Sequence, residues 1–429
     1  MGWASPTLPR LEDGKAEPHI TSDESSWIVS CIPIGAVLIL VPTGYVTDII
    51  GRKATLLGTA VPFLISWLLI IFAKSVWFLY AAMTFAGMGM GCCFAVGPMY
   101  MAEIAQDHIR GAIATIFQVM MNFGVLFSYS VGPYVSTTTL AIICAVFPVI
   151  FVLTFIWMPE SPYFYLLRNR KEDAEKSLMM LRSASNPESV QEELNAMEDF
   201  VQESSKEKRN VIKLFTDRVN RRGLVVVVGL AVFQPLSGNN ALLSYSTIIF
   251  EESNKDLSPE VSVIITGAVQ VVLGIVCSTL IDTAGRRPML LVSTVGCTLA
   301  LTIEGLFFYL KNVQGVDMSG YDWVSMLAII LFLITYTVGL GPLPLAMIGE
   351  LFPASSKGMA ASFTTIILST VGIIVPKLYQ AVMDNFGLHV AFWMFAVCCA
   401  VGAVFVFFLV PETKGKSLME INREMKYDP

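Results

Sequence analysis

The sequence predicts an all-α polytopic membrane protein, and three observations carry that prediction. Hydrophobic residues fill 55% of the 429 positions and charged residues only 14%, where a soluble domain carries about 25% charge. Mean hydropathy is +0.66. The apolar residues gather in runs that reach the ~20 residues a helix needs to cross a bilayer, and a polar stretch divides those runs into two groups. Other classes are excluded on the same grounds. A net charge of −6 argues against a nucleic-acid partner. The eight cysteines lie inside apolar runs without a CxxC, so neither a zinc site nor a disulfide framework is expected.

Read in order, the runs predict eleven spans: 27–46, 55–74, 77–102, 112–135, 138–158, 223–250, 261–281, 289–310, 322–350, 358–382 and 389–410. Between the fifth and sixth, residues 159–222 hold twelve Lys/Arg and twelve Asp/Glu, and "RKEDAEKSLMMLR" has the spacing of a surface helix. The predicted organisation is an external segment at 1–26, an N-terminal bundle at 27–158, a cytoplasmic linker at 159–222, a C-terminal bundle at 223–410 and a cytoplasmic tail at 411–429.

Basic residues set the orientation. Placing the linker and tail in the cytoplasm leaves only six of the 28 Lys/Arg outside: Arg10, Lys15, Lys74, Lys255, Lys311 and Lys377. Eleven spans then put the N-terminus outside, although the first 26 residues carry no sorting signal.

An internal repeat bears on this parity. "TDIIGRK" from Thr47 returns as "IDTAGRR" from Ile281, "EIAQDHIRG" from Glu103 as "ELFPASSKG" from Glu350, and "PES" at Pro159 as "PET" at Pro411. The three matches keep their order and fall on one membrane face, which indicates two parallel copies. Two spans precede the second D-x-x-G-R-R turn and one precedes the first, so the repeat predicts that a first helix is missing from the front, with "GWASPTLPR" as its outer end running into an external loop.

The motifs "GYVTDIIGRK", "PMYMAEIAQDHIRG", "PESP", "LSGNNALLSYS", "DTAGRR", "GLGPLPLAMIGELFP" and "PETKGKSL" resemble the sugar porters of the major facilitator superfamily, and "GWASP" and "AVPFLISWLL" are most similar to their insect facilitated trehalose and glucose transporters. The resemblance implies the major facilitator fold: two pseudo-symmetric helical bundles, with 11 of the 12 transmembrane helices present. It also implies a monomer in the plasma membrane, a small-molecule sugar and the lipid bilayer as partners, no cofactor, and alternating access.

Residues at the cytoplasmic ends supply a gate. Asp48, Arg52 and Lys53, with Asp282, Arg286 and Arg287, are placed to bond across helix ends to Glu103/Arg110 and Glu350/Lys357, and their pairs are expected to latch the outward-open state. For the sugar site, amides within apolar helices are the natural candidates, because they both donate and accept and are costly unless used. The resemblance puts Gln118, Gln234, Asn240 and Gln270 on the sugar, with Tyr245 nearby, while Asn122 and Asn239 are expected to bond between packed helices. "GLGPLPL" and "VGIIVP" are expected to break their helices, and "GMGMG" to form a close-packing face.

Pro235, Leu345, Ser369 and Gly372 depart from the family pattern, replacing a glutamine, two tryptophans and an asparagine. They leave a non-transporting paralogue or sensor as an alternative. Proton-coupled sugar symport is the second alternative, for which Glu304 is the one acid well within a span. An enzyme lacks parts, since His19, His108 and His389 fall in loops or at span ends without a nucleophile or metal partner.

Overall fold

The computed structural model describes residues 2–106, 110–206, 215–253, 258–280, 285–318, 320–352, 354–414, 416 and 420. Among these residues the secondary structure is helical, with no β-strand. The N-terminal half contains α1 (Ala4–Glu12), α2 (Ser22–Ile50), α3 (Arg52–Gly58), α4 (Ala60–Ile71), α5 (Val76–Ile104), α6 (Arg110–Val131) and α7 (Thr137–Phe155). The linker carries α8 (Pro162–Leu167), α9 (Lys171–Arg182) and α10 (Gln191–Lys206). The C-terminal half contains α11 (Arg218–Leu236), α12 (Asn239–Ser253), α13 (Pro259–Leu280), α14 (Arg286–Asn312), α15 (Asp322–Val338), α16 (Leu343–Leu351), α17 (Ala354–Phe386) and α18 (Leu388–Leu409). Each expected span coincides with a helix or an end-to-end pair of helices, and among the described residues nine helical stretches are long and apolar enough to cross a membrane.

Local chemistry sets the helix ends. Thr21 and Glu24 form a capping box, in which the Thr21 hydroxyl accepts from Glu24 N at 3.3 Å and Thr21 N donates to Glu24 Oε2 at 2.8 Å, so α2 begins at Ser22. Ser136 starts α7 by accepting from Thr139 N at 3.1 Å. Among the described residues three spans are discontinuous: α3 and α4 part at Thr59, and two others part at glycine turns. Between α11 and α12 the chain turns through Gly238 at φ +83°, with the Phe395 ring against its Cα. Between α15 and α16 it turns through Gly339–Pro342, as expected of "GLGPLPL". The other expected break does not occur, because α17 runs without interruption through Pro376. A single proline removes one hydrogen bond from a ladder that is otherwise complete, and transmembrane helices tolerate that loss.

Helix α2 packs tightly on α5. The backbone carbonyl of Ile32 lies where a Cβ of Gly87 would stand, and Ala36 Cα lies 2.9 Å from a Cβ built on Gly91. The "GMGMG" stripe is therefore a close-packing face. The two halves meet along α2 with α17 and along α6 with α13, and α1 lies buried against α12, α2 and α6. Arg10 on α1 donates to the carbonyls of Gly132, Pro133 and Val135, and the Ser5 hydroxyl sits 2.9 Å from that of Thr247 on α12. The linker helices form a small core of their own around Ala174, Leu178 and Leu194. That core is tied to the N-terminal half by Arg182, which pairs with Glu193 at 2.7 Å and donates to Ile104 O at 3.0 Å.

Candidate functional site

The sequence repeat becomes a repeated structure at the membrane face where the linker lies. In the first half Arg52 pairs with Glu103 at 3.1 Å, and Glu160 accepts from the backbone N–H groups of Arg52 and Lys53 at 3.0–3.1 Å. In the second half Arg286 pairs with Glu350 at 3.0 Å, and Glu412 accepts from Arg286 N at 3.0 Å and Arg287 N at 3.2 Å. Each glutamate of "PES" and "PET" thus caps the helix that opens with the G-R-K or G-R-R cations. The glycine ahead of those cations is required, because the carboxylate of Glu160 or Glu412 occupies the place of its Cβ, and Gly51 also turns at φ +98°. Burial pushes the Glu412 carboxyl up, but backbone N–H groups of Lys414, Arg286, Arg287 and Thr413 outweigh it and hold the group below its ordinary value.

These pairs each lie within one half of the molecule. Lys53 takes part through its backbone, and Arg287 donates to Phe407 O and stacks over the Phe407 ring at 5.5 Å. The Asp48 backbone carbonyl accepts from Arg168 at 3.1 Å. Of the remaining gate candidates, Asp282 and the side chains of Arg110 and Lys357 lie outside the described residues.

The opposite face is closed between the halves. Lys377 Nζ on α17 reaches Asp23 Oδ1 on α2 at 2.6 Å and lies 4.3 Å from the centroid of the Trp27 ring. Gln380 donates to Ser22, and Ser22 to Asp384 at 3.5 Å. Deeper in the seam the Ser30 hydroxyl donates to Ile373 O at 3.0 Å, and a Cβ built on Gly372 would stand 3.6 Å from Pro33 Cβ. Tyr129 on α6 donates to Leu243 O on α12 at 2.7 Å, and Asn122 donates to Gln270 O at 3.0 Å, the interhelical role expected of Asn122. Among the described residues, Asp23–Lys377 is the ion pair that joins the halves. Sequence reading missed this closure; its signal was Lys377, one of the few basic residues assigned outside.

Gln234, Asn239 and Asn240 flank the α11–α12 break. Gln234 Nε2 donates to Gly341 O at 2.9 Å, which ties this break to the one between α15 and α16. Gln234 Oε1 and Asn239 Oδ1 are buried with no hydrogen-bond partner among the described residues. Asn240 is half-buried beside them, and Gln270 is buried on α13. Tyr245 is fully buried, its ring 5.3 Å from that of Tyr379, which stacks in turn on Phe395 at 5.9 Å. The side chain of Gln118 lies outside the described residues. Asn239, assigned to packing from sequence, therefore presents the same open acceptor as Gln234. The arrangement leaves open amide acceptors of the kind that suit a neutral polyhydroxylated ligand, beside a packed stack of aromatic rings.

Comparison with known proteins agrees with this geometry. Residues 6–425 match the family model described as sugar (and other) transporter. The chain is 35% identical over 425 residues to the facilitated trehalose transporter Tret1 of Polypedilum vanderplanki, covering 99% of this chain and 84% of the relative. Identity to Tret1 of Bombyx mori is 34%, with coverage of 99% and 83%. In fold the chain is similar to the inward open conformation of the xylose transporter XylE from E. coli, with a TM-score of 0.79 at 20% identity over 98% of this chain and 95% of that one. The partially occluded inward open conformation of XylE gives a TM-score of 0.80 at 21% identity, with coverage of 97% and 95%. The chain is thus a multi-pass membrane protein with the major facilitator fold, and it belongs to the sugar porter family of that superfamily.

Proposed function

We propose that this protein moves a sugar, a hexose or a trehalose-like disaccharide, across the plasma membrane by facilitated diffusion with alternating access, as a monomer whose linker and C-terminal tail are cytoplasmic. The observation that carries the reading is the pair of buried, unpartnered amide oxygens, Gln234 Oε1 and Asn239 Oδ1, at the break between α11 and α12. An orphaned buried acceptor costs about 1–3 kcal/mol, a cost that a sugar hydroxyl removes on binding. Gln234, Asn240, Gln270 and Tyr245, with Gln118, are the residues assigned to the substrate.

The two faces have different parts in the cycle. Asp23, Lys377 and Trp27 hold the face away from the linker shut, and they must separate before sugar enters from that side. The Arg52–Glu103 and Arg286–Glu350 pairs brace the helix ends of their own half, so each half moves as a unit while the contact between halves changes. Membership of the family and the facilitated trehalose transport named for its relatives support transport over catalysis.

The test is uptake of labelled trehalose and glucose into proteoliposomes holding the protein, with and without a proton gradient. Saturable uptake that stops at equal concentrations is the expected result, and absence of saturable uptake of either sugar leaves the non-transporting reading. A second reading, proton-coupled symport, has one observation in its favour. Glu304 is buried in α14 with a single hydrogen bond among the described residues, from the Ser325 hydroxyl at 2.6 Å. Accumulation driven by the gradient decides for it.

A further inference from the structure

On the linker side, outside the path between the halves, α3, the end of α7, α8 and α9 enclose a groove of about 710 Å³, within the ~300–1,000 Å³ of ordinary ligand sites. Its charges are unevenly satisfied. Of its two acids, Glu160 is committed to the backbone N–H groups of Arg52, Lys53 and Ser161, and Asp173 to Arg170 at 2.7 Å. Arg170 also lies over the Tyr165 ring at 5.0 Å. Lys53 and Lys176 line the same groove, and among the described residues neither ammonium group has an ion pair or hydrogen bond. Three cations thus face two carboxylates, so the groove is net positive, and the two lysines are the cations in it without a partner among the described residues.

The rest of its wall is apolar and open to the outside. Trp157 is 78% exposed, Met180 60% and Ile50 49%. Ile50 and Trp157 stand at the ends of helices that cross the membrane, so this flank sits at the level where headgroups meet acyl chains, the depth tryptophan prefers. A free ammonium pair beside an exposed apolar flank suits an amphiphile whose head is an anion.

We propose that this groove binds a phosphate-bearing anion, with the phosphate between Lys53 and Lys176, and that its apolar flank selects the headgroup of an acidic phospholipid from the leaflet on the linker side. Phosphate suits the site because a lysine ammonium serves as a point charge without needing a planar partner. The site is independent of the sugar and does not require transport.

The test measures binding to the purified protein in phosphatidylcholine nanodiscs. Phosphatidic acid is titrated and read by native mass spectrometry and by the thermal midpoint, with added phosphatidylcholine and inorganic phosphate as the other probes. Saturable binding of phosphatidic acid is expected, weakened about fivefold by Lys176→Gln and again by Lys53→Gln, and kept by Lys176→Arg. If inorganic phosphate competes at the same site, the anion site stands and its source is a soluble phosphate. Equal stabilisation by phosphatidylcholine and phosphatidic acid, or unchanged affinity in Lys176→Gln, overturns the proposal. Because Lys176 is an exposed side chain on α9, its substitution tests binding without endangering the fold.

Discussion

Lys377 reaches across the seam between the two halves to Asp23, at 2.6 Å, and rests on the Trp27 ring at 4.3 Å. The ion pair is partly exposed and worth about 0–1 kcal/mol, and the cation–π contact adds about 0.5–1 kcal/mol. A bias of about 1 kcal/mol shifts a two-state population roughly fivefold. The closure is thus strong enough to favour one state and weak enough to release.

Lys377→Met removes both contacts while keeping most of the side-chain volume. It is expected to open the seam more often, which is measurable at Ser30, buried against Ile373 O. With Ser30→Cys in a cysteine-free background, labelling by an impermeant maleimide from that side should quicken about fivefold. Labelling that does not change means the pair is decoration on a seam held by α2–α17 packing alone.

The Glu412 cap makes a prediction about pH. Its carboxyl is held below the ordinary value, so the stabilisation is fully present above the unfolded value of about 4.3 and is lost as pH falls through the lower folded value. Glu412→Gln should therefore lower stability by about 1 kcal/mol at neutral pH. The gap in thermal midpoint between variant and wild type should narrow below about pH 4. A constant gap across that range assigns the effect to packing.

Gln234→Ala removes the open acceptor at the α11–α12 break and the bond to Gly341 O. Loss of one sugar hydrogen bond predicts a KM raised roughly tenfold. Gln234→Glu keeps an acceptor but loses the donor to Gly341, so it separates the two roles. If both variants transport with unchanged KM, the sugar lies elsewhere in the cavity wall.

How much of this was legible in the sequence depended on range. The helices were, because twenty apolar residues in a row announce a span whatever surrounds them. The twin "PES" and "PET" motifs were visible as a repeat, but Glu160 works by capping Arg52, 108 residues away, and no local pattern states that contact. Asp23 and Lys377 lie 354 residues apart and meet because α2 and α17 face one another across the seam. The continuity of α17 through Pro376 was misjudged for the opposite reason, since a local breaker was outweighed by the helix on both sides of it.

The glycine stripe of α5 can be graded by what each position touches. Gly87 faces the Ile32 backbone carbonyl, which cannot turn aside, whereas Gly89 faces the Phe63 ring, with its nearest atom 2.9 Å from a built Cβ. Gly87→Ala should force α2 and α5 apart and cost about 1–3 kcal/mol, while Gly89→Ala should cost less because an aromatic side chain can swing. Thermal midpoints of the two purified variants give the comparison directly. Equal losses mean that the helices part as readily as the ring moves.

Glu304 offers the last discriminating substitution. Its carboxyl accepts from Ser325 and is 2% exposed, at the contact of α14 with α15. Glu304→Gln keeps the size of the group and an acceptor for Ser325, and removes its ability to ionise and so to carry a proton. Under facilitated diffusion the variant should take up sugar at the wild-type rate and to the wild-type end point, with the same dependence on pH. A wild type that accumulates sugar against its gradient, paired with a variant that only equilibrates it, makes Glu304 the coupling group and replaces facilitated diffusion with symport.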